Sequence, residues 1–176
     1  MQDMLVRLYT SDPDFLRDTA PGGNWGAKTT AGEPVAIRRA LAPERNLVLD
    51  WVGRLFSAGW VSETSVAFST TPTKCHIAQC GSRLLGFSCF DATALGFLGP
   101  IGIDPAERGS GIGAALLKAS LLAMREFGYA YAIIGGVGPV DFYARVAGAT
   151  VIADSTPGVY AGLLRAQPQS SKEPNS

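Results

Sequence analysis

The stretch Ile101-Gly-Ile-Asp-Pro-Ala-Glu-Arg108-Gly109-Ser110-Gly111-Ile112-Gly113-Ala114, running on as Ala115-Leu-Leu-Lys-Ala-Ser-Leu-Leu-Ala-Met124, decides the fold of this chain. A short apolar run ends at Asp104-Pro105, a glycine-rich turn follows, and a long helical pattern then begins. The first turn of a helix leaves backbone N–H groups without intrahelical partners, and the macrodipole places partial positive charge there. Glycines let that backbone close on a bulky anion, and Arg108 adds a fixed positive charge. The pattern predicts a site for a phosphate or pyrophosphate. A glycine-rich strand–helix connection that binds nothing is the competing reading.

Three kinds of phosphate loop have related patterns. A Walker loop ends in Gly-Lys-Ser/Thr, whereas Gly113 is followed by Ala114-Ala115, so that reading fails. The dinucleotide fingerprint G-x-G-x-x-G/A is formally met by Gly109, Gly111 and Ala114. It expects a strand running straight into the glycines and an acidic residue closing the next strand. Here Asp104 to Arg108 intervene and the next apolar run ends in Gly135-Gly136, so the match is weak. The third pattern, Arg/Gln-x-x-Gly-x-Gly/Ala, is met by Arg108, Gly111 and Gly113 behind an apolar strand and a proline.

That third arrangement resembles the coenzyme A pyrophosphate loop of the GNAT superfamily of N-acetyltransferases. The resemblance spans roughly residues 35–164, with its specific motifs confined to about 97–149. It implies that the amides of Arg108, Gly109, Ser110, Gly111, Ile112, Gly113 and Ala114 surround the pyrophosphate of acetyl-CoA, used as co-substrate without a metal. It also implies that strand backbone at Ile101, Gly102 and Ile103 binds the pantetheine arm and polarises the thioester carbonyl. Pro100 cannot donate to a ladder, so a bulge or splayed pairing is expected there, with or without a ligand.

In Pro139-Val-Asp-Phe-Tyr143-Ala-Arg-Val-Ala-Gly148, Tyr143 occupies the place of the superfamily's helix tyrosine, which faces the sulfur. A phenol with an ordinary pKa of about 10 is protonated at neutral pH and able to donate to a developing thiolate. Packing of Phe142 and Tyr143 against a sheet is the alternative. The chain departs from the family at two points. The usual asparagine seven residues before the tyrosine is Gly136, and Gly148 lies one place later than the family's glycine, which predicts a distorted helix end. Gly135 to Gly138 are expected to compensate for the asparagine by offering backbone amides to the ligand.

The base is open between two carboxylates. Glu63, in Trp60-Val-Ser-Glu63-Thr, falls where the family's acceptor-side helices lie, and Asp91 ends a strand whose following turn faces the acceptor. A solvated surface carboxylate is the alternative for each. Asp104 is expected to shape the glycine loop, Trp60 to pack either a core or an amine, and His76 to be a structural or surface residue rather than a base or ligand.

Composition narrows the classes. The chain has 176 residues, 47% hydrophobic and 17% charged, so one domain with an ordinary core is expected. Fifteen basic residues balance fifteen acidic ones, which argues against nucleic acid and anionic membranes as partners. Met1-Gln-Asp-Met-Leu-Val-Arg does not read as a secretory signal, and Cys75, Cys80 and Cys89 lack metal-ligand spacing. Free thiols in a cytoplasmic protein follow.

Along the chain, residues 1–34 read as an N-terminal extension with a short strand at Leu5–Tyr9, a helical turn at Pro13–Thr19 and a loop at Pro21–Gly26. Residues 35–165 read as the acetyltransferase domain and 166–176 as a disordered tail. Within the domain the pattern predicts a strand at Val35–Leu41 and an amphipathic helix behind Pro43. Strands at Cys75–Cys80 and Leu84–Phe90 join through Gly81-Ser82 as a hairpin, and Phe97–Ile103 follows. The helix from Gly111 to about Phe127 comes next, then a buried strand at Ala130–Ile134 and a short helix at Pro139–Ala147. Closing strands are expected at Thr150–Ala153 and Val159–Leu164. This is an α+β order in α/β/α layers, with a mixed, mostly antiparallel central sheet flanked by helices. The resemblance and the broadly apolar long helix together lead to the expectation of a homodimer.

The sequence as a whole predicts acetyl transfer from acetyl-CoA directly to a primary amine of a small molecule or peptide. The rival classes are a noncatalytic acyl-CoA-binding or sensing module and a nicotinamide or flavin oxidoreductase.

Overall fold

The computed structural model describes residues 2–9 and 25–164, so the expected Pro13–Thr19 turn, most of the Pro21–Gly26 loop and the C-terminal tail lie outside it. Seven strands form one sheet in the order β2-β3-β4-β5-β6-β1-β7. They are β1 (Met4–Arg7), β2 (Ala36–Arg39), β3 (Cys75–Cys80), β4 (Arg83–Phe90), β5 (Phe97–Ile103), β6 (Tyr131–Ile134) and β7 (Thr150–Val151). Neighbours run antiparallel except β5 and β6, which are parallel. Four helices flank the sheet: α1 (Arg45–Leu55), α2 (Ala58–Ala67), α3 (Ile112–Glu126) and α4 (Val140–Ala147).

The hairpin β3–β4 turns where expected, with Gly81 at φ +57. Ahead of α1, Pro43 and Glu44 lie in a single 3-10 turn, Ala42–Glu44. Glu44 takes two hydrogen bonds from Arg38, at 2.6 and 2.8 Å, and one from the Leu41 N–H at 2.7 Å. The Arg38 guanidinium holds the Glu44 carboxyl down at about 2.

Helix α2 enters the sequence reading only through the resemblance, which put Glu63 among acceptor-side helices; no periodicity marks it. Gly59, Ser62, Thr64 and Ser65 are indifferent helix formers, and its apolar residues form no single stripe. Ser57 caps it by accepting the Trp60 N–H at 3.3 Å.

The two faces of the sheet are packed differently. On one face α1 and α2 bury Val48, Trp51, Val52 and Ala67 against Cys75, Ile77, Phe87 and Cys89. On the other, α3 lies across both halves of the sheet. Leu117, Leu121 and Met124 join a cluster with Met4, Val6, Leu98 and Ile134, while Ile112, Leu116 and Ala119 pack on Ile37, Ala78 and Leu85. The broadly apolar character of α3 is therefore consumed within the chain and by itself gives no reason for a dimer. No helix among the described residues is long and apolar enough to cross a membrane.

Three expectations are corrected. Residues 159–164 form no strand: a 3-10 turn covers Gly158–Tyr160, because Pro157 and the positive φ of Gly158 and Gly162 break extended pairing. The strand beginning at Thr150 ends at Val151, one residue before the bonded Ile152 amide turns to the Asp3 carbonyl at 2.9 Å. Gly148 does not distort the end of α4. It is a left-handed cap at φ 57 whose N–H reaches Ala144 O at 3.0 Å, and the Ala149 N–H returns to Tyr143 O at 3.4 Å.

His76 is structural, as expected. It is 6% exposed between β3 and α3, and its Nδ1 lies 3.1 Å from Ser120 Oγ. Ser120 gives its own proton to Ser88 Oγ at 2.9 Å, so the neutral His76 ring donates Nδ1–H to Ser120. Burial, with the nearby Arg39 charge, pushes its pKa down to about 3 from 6.5. The unfolded chain therefore binds a proton at His76 that the folded chain refuses, and stability from this group, full above pH 6.5, is lost as pH falls toward 3. Urea unfolding between pH 6.5 and 5, above the carboxylate range, should show stability falling by about 1 kcal/mol per pH unit. The slope should flatten in His76→Gln.

Candidate active site

Strands β5 and β6 pair through only Phe97↔Ile133 and Leu98↔Ile134, and then part. On its other side β5 stays laddered to β4 through Ser88↔Ile101, Phe87↔Gly102 and Gly86↔Ile103, with an irregularity between Ser88 and Phe90. The splayed pairing expected around Pro100 is thus present. Just past it, the Asp104 N–H donates to Leu85 O of β4 at 2.8 Å. Donors alternate along a strand, so the N–H groups of Ile103 and Ile101 turn to the opposite edge, into the opening between β5 and β6.

The glycine loop closes one end of this opening. Asp104 shapes it, accepting the Ala106 N–H at 2.9 Å over a 3-10 turn Pro105–Glu107. Buried Glu107 accepts the Thr30 N–H at 2.7 Å, and Ser110 Oγ donates to Glu107 O at 2.6 Å. With Glu107 anchored inward, Arg108 stands exposed and forms no ion pair among the described residues. Gly109 and Gly111 adopt φ +83 and +87, where a side chain is strained, and Gly111 is the N-cap of α3. The first loop-to-helix bond is Ala115 N–H to Gly111 O at 3.1 Å, so the amides from Gly109 to Ala114 donate to no acceptor among the described residues. Gly113 brings the loop to the strand: a Cβ there would sit 3.6 Å from Ile103 and 3.7 Å from the Phe142 ring.

Helix α4 supplies the next wall. Phe142 meets Gly113, and the Tyr143 ring lies edge-on to Phe142 with centroids 5.0 Å apart. Tyr143 is 7% exposed and packs in the cluster holding Leu98 and Ile134, the last paired residues before the strands part. Its hydroxyl has no hydrogen-bond partner among the described residues, and burial raises its pKa above the ordinary 10. It is a protonated phenol at neutral pH. The segment Gly135–Gly138 differs from expectation. The Gly136 N–H is taken by Asp3 Oδ1 at 2.8 Å and the Val137 N–H by Gln2 O at 2.9 Å, so these two amides serve the β1 junction rather than a ligand.

The two candidate carboxylates are placed differently. The Asp91 side chain is 1% exposed and paired with Lys74 at 2.8 Å; its two oxygens also accept from Tyr129 OH at 2.9 Å and Gly96 N–H at 2.7 Å. It braces the β4–β5 turn. Glu63 is half-buried on α2, one turn beyond Trp60, and Oε1 accepts the hydroxyl proton of Thr93. Trp60 stacks on Phe56 at 4.9 Å, and a Cβ at Gly102 would lie 2.6 Å from that Phe56 ring. An aromatic ledge thus reaches β5 on the face opposite Tyr143. Sequence reasoning missed Thr93 on this side, which carries no local motif. No group of three His, Cys, Asp or Glu among the described residues is arranged to hold a metal ion.

The loop geometry makes two separable demands. Arg108→Ala, on an exposed side chain, should leave thermal stability unchanged and weaken coenzyme A binding about tenfold by calorimetry. Gly111→Ala should weaken it as well, and should also lower stability by about 1–2 kcal/mol because of its left-handed backbone.

Known structures share the fold. No curated protein matches the chain. A fungal multi-domain GH3 β-N-acetylglucosaminidase has a GCN5-related glucosamine N-acetyltransferase region that superposes with a TM-score of 0.63 at 15% identity, covering 86% of this chain and 19% of that one. A GCN5-related N-acetyltransferase from Sphaerobacter thermophilus gives 0.56 at 17% identity, over 86% of this chain and 48% of that one. A Drosophila protein gives 0.55 at 15% identity, over 86% and 47%. The chain therefore spans less than half the length of these proteins, and the likeness is one of fold. The model of the acetyltransferase (GNAT) family matches residues 43–149, more than half of the chain, and the chain belongs to that family.

Proposed function

We propose that the protein transfers an acetyl group from acetyl-CoA directly to a primary amine of a small molecule or peptide, with no acyl-enzyme. The observation that carries this is the set of unpartnered amides from Gly109 to Ala114, which ends beside the same opening that Tyr143 lines. Those amides and Arg108 fit a diphosphate, and the free N–H groups of Ile101 and Ile103 fit a pantetheine arm lying between β5 and β6.

The chemistry balances with the residues present. The amine nitrogen bonds to the thioester carbon and the carbonyl electrons move to oxygen, where a strand N–H of Ile101 or Ile103 receives the charge. Collapse breaks the C–S bond, and the departing thiolate takes its proton from Tyr143, which burial keeps protonated. The amine gives up its proton on the Glu63 side, directly or through water. We assign the base role to Glu63 in preference to Asp91, whose oxygens are already engaged by Lys74, Tyr129 and Gly96.

A noncatalytic acyl-CoA-binding module needs no thiolate acid, which makes Tyr143 the discriminating residue. Tyr143→Phe should lower kcat about a hundredfold in an acetyl-CoA thiol-release assay against a panel of amines, with coenzyme A affinity unchanged. Unchanged turnover in that variant would remove Tyr143 from the mechanism. The alkaline limb of kcat should lie above pH 10, the direction in which burial moves the phenol.

A further inference from the structure

The glycine loop is held from outside the segment that the family model matches. Residues 27–35 form a narrow hairpin ahead of residue 43, where that match begins, and a bridge pairs Lys28 with Pro34. The Val35 N–H donates to Ala27 O at 3.0 Å, the Thr29 N–H to Glu33 O at 2.8 Å and the Gly32 N–H to Thr29 O at 2.9 Å. Gly32, at φ +85, closes the three-residue loop Thr30-Ala-Gly32. The hairpin is fastened at its base and along one side. Ala27 and Val35 are buried with Ile112 and Ala115 in the first turn of α3, and Glu33 accepts from Arg83 of β4 at 3.0 Å.

Its tip meets the glycine loop through one bond. Thr30 is the second residue of the turn Thr29–Gly32, a position whose N–H has no partner inside a β-turn. That N–H goes to Glu107 Oε2 at 2.7 Å, across 77 residues of sequence. Glu107 is 7% exposed and stands two residues before Gly109, the first of the amides open to an anion. The backbone on both sides of it is fixed: Asp104 accepts the Ala106 N–H at 2.9 Å, and Ser110 Oγ donates to Glu107 O at 2.6 Å. A carboxylate in that place carries the same sign of charge as the ligand the loop suits. Amides at a helix N-terminus bind a carboxylate as they bind a phosphate, so a loose Glu107 would be an internal rival for the donors from Gly109 to Ala114. The Thr30 N–H engages it instead.

We propose that Glu107 is a positioning residue of the coenzyme site and that the hairpin 27–35 is part of that site: by holding the Glu107 carboxylate inward, the Thr30 amide keeps the donors of the glycine loop open for a diphosphate. The hairpin therefore acts on coenzyme affinity without touching the coenzyme. Its grip is charge-assisted, which is the stronger kind of hydrogen bond, and its footing on Ile112 and Ala115 sets it against the same helix start that carries the loop. This rests on the acetyl-CoA reading, and it adds to it a residue and an element that the reading does not use.

Calorimetry with coenzyme A, beside thermal unfolding of each variant, tests it. Thr30→Pro removes the donor and keeps the carboxylate, and proline suits the second position of a turn; Kd should rise about tenfold. Glu107→Asp keeps the charge but is one methylene too short to reach Thr30, and it should weaken binding about as much. Glu107→Gln loses the charge and should stay within about twofold of wild type, as should Glu107→Gln combined with Thr30→Pro. A brace that merely stiffens the loop gives the opposite order: every substitution lowers Tm, and the double variant binds coenzyme A no better than Thr30→Pro alone. That order overturns the proposal. So does folded Thr30→Pro or Glu107→Asp protein that binds coenzyme A as wild type does. Should Thr30→Pro not fold, the comparison of Asp with Gln at position 107 decides by itself. Loss of the coenzyme reading would register separately, as wild-type protein that gives no heat with coenzyme A.

Discussion

The rest of the structure depends on the brevity of the β5–β6 pairing. Two parallel residue pairs join the halves of the sheet, and beyond Leu98 and Ile134 each strand keeps only its outer neighbour. The backbone facing the gap then lacks a ladder partner, which inside a protein is tolerated only where water or a ligand reaches it. The gap is therefore a place where backbone donors stand open to a polar ligand. Pro100, which has no N–H, lies with its nitrogen on the β4 side of the strand, where the β4–β5 ladder is irregular between Ser88 and Phe90.

A sheet divided in this way needs something to hold its halves at a set distance, and α3 does so. One stretch of the helix, Ile112 to Ala119, packs on the half built from β2, β3 and β4. The next, Leu117 to Met124, packs on the half built from β1 and β6 with the start of β5. Leu116, Leu117 and Leu121 are fully buried, and each is worth about 2 kcal/mol in burial. The same helix carries the glycine loop at its N-terminus, so the width of the gap and the position of the anion site are set by one rigid element. That coupling explains why a Cβ at Gly113 would come within van der Waals distance of both Ile103 and Phe142: strand, loop and α4 converge where the helix starts.

The parts legible in the sequence are those whose physics is local. Glycine at φ +83 and +87, an arginine at fixed offset and a helix start are consecutive residues with one purpose, so residues 101–124 are readable as a string. The β3–β4 hairpin and α3 likewise follow from turn chemistry and period. Helix α2 leaves no mark in the period, and only the resemblance pointed to it, because it owes its existence to contact with the sheet rather than to helix propensity or an apolar stripe. The region after residue 157 was misread as a strand because Val159, Tyr160, Leu163 and Leu164 imitate one; Pro157 and the left-handed glycines decide the matter, and their effect appears only once the backbone is traced. The amides of Gly136 and Val137 looked free for a ligand because the segment that binds them, Gln2 and Asp3, lies at the far end of the chain.

That last case states the general limit. The donor side of the site is contiguous, spanning Ile101 to Ala114 with Tyr143 one helix later, and it uses backbone groups that any chain must supply in the same order. On the face of α1 and α2, Glu63 on α2 meets Thr93 in the β4–β5 turn across 30 residues of sequence. No spacing rule links these positions, since each is brought in by a different element and only the sheet order places them together. A backbone-built anion site constrains sequence through φ angles and missing side chains. A side-chain-built amine site constrains only the few atoms that touch, and it leaves the intervening chain free to vary. The identity of the carrier can therefore be read from a string of residues, while that of the amine becomes accessible only through the field and shape that distant side chains create jointly.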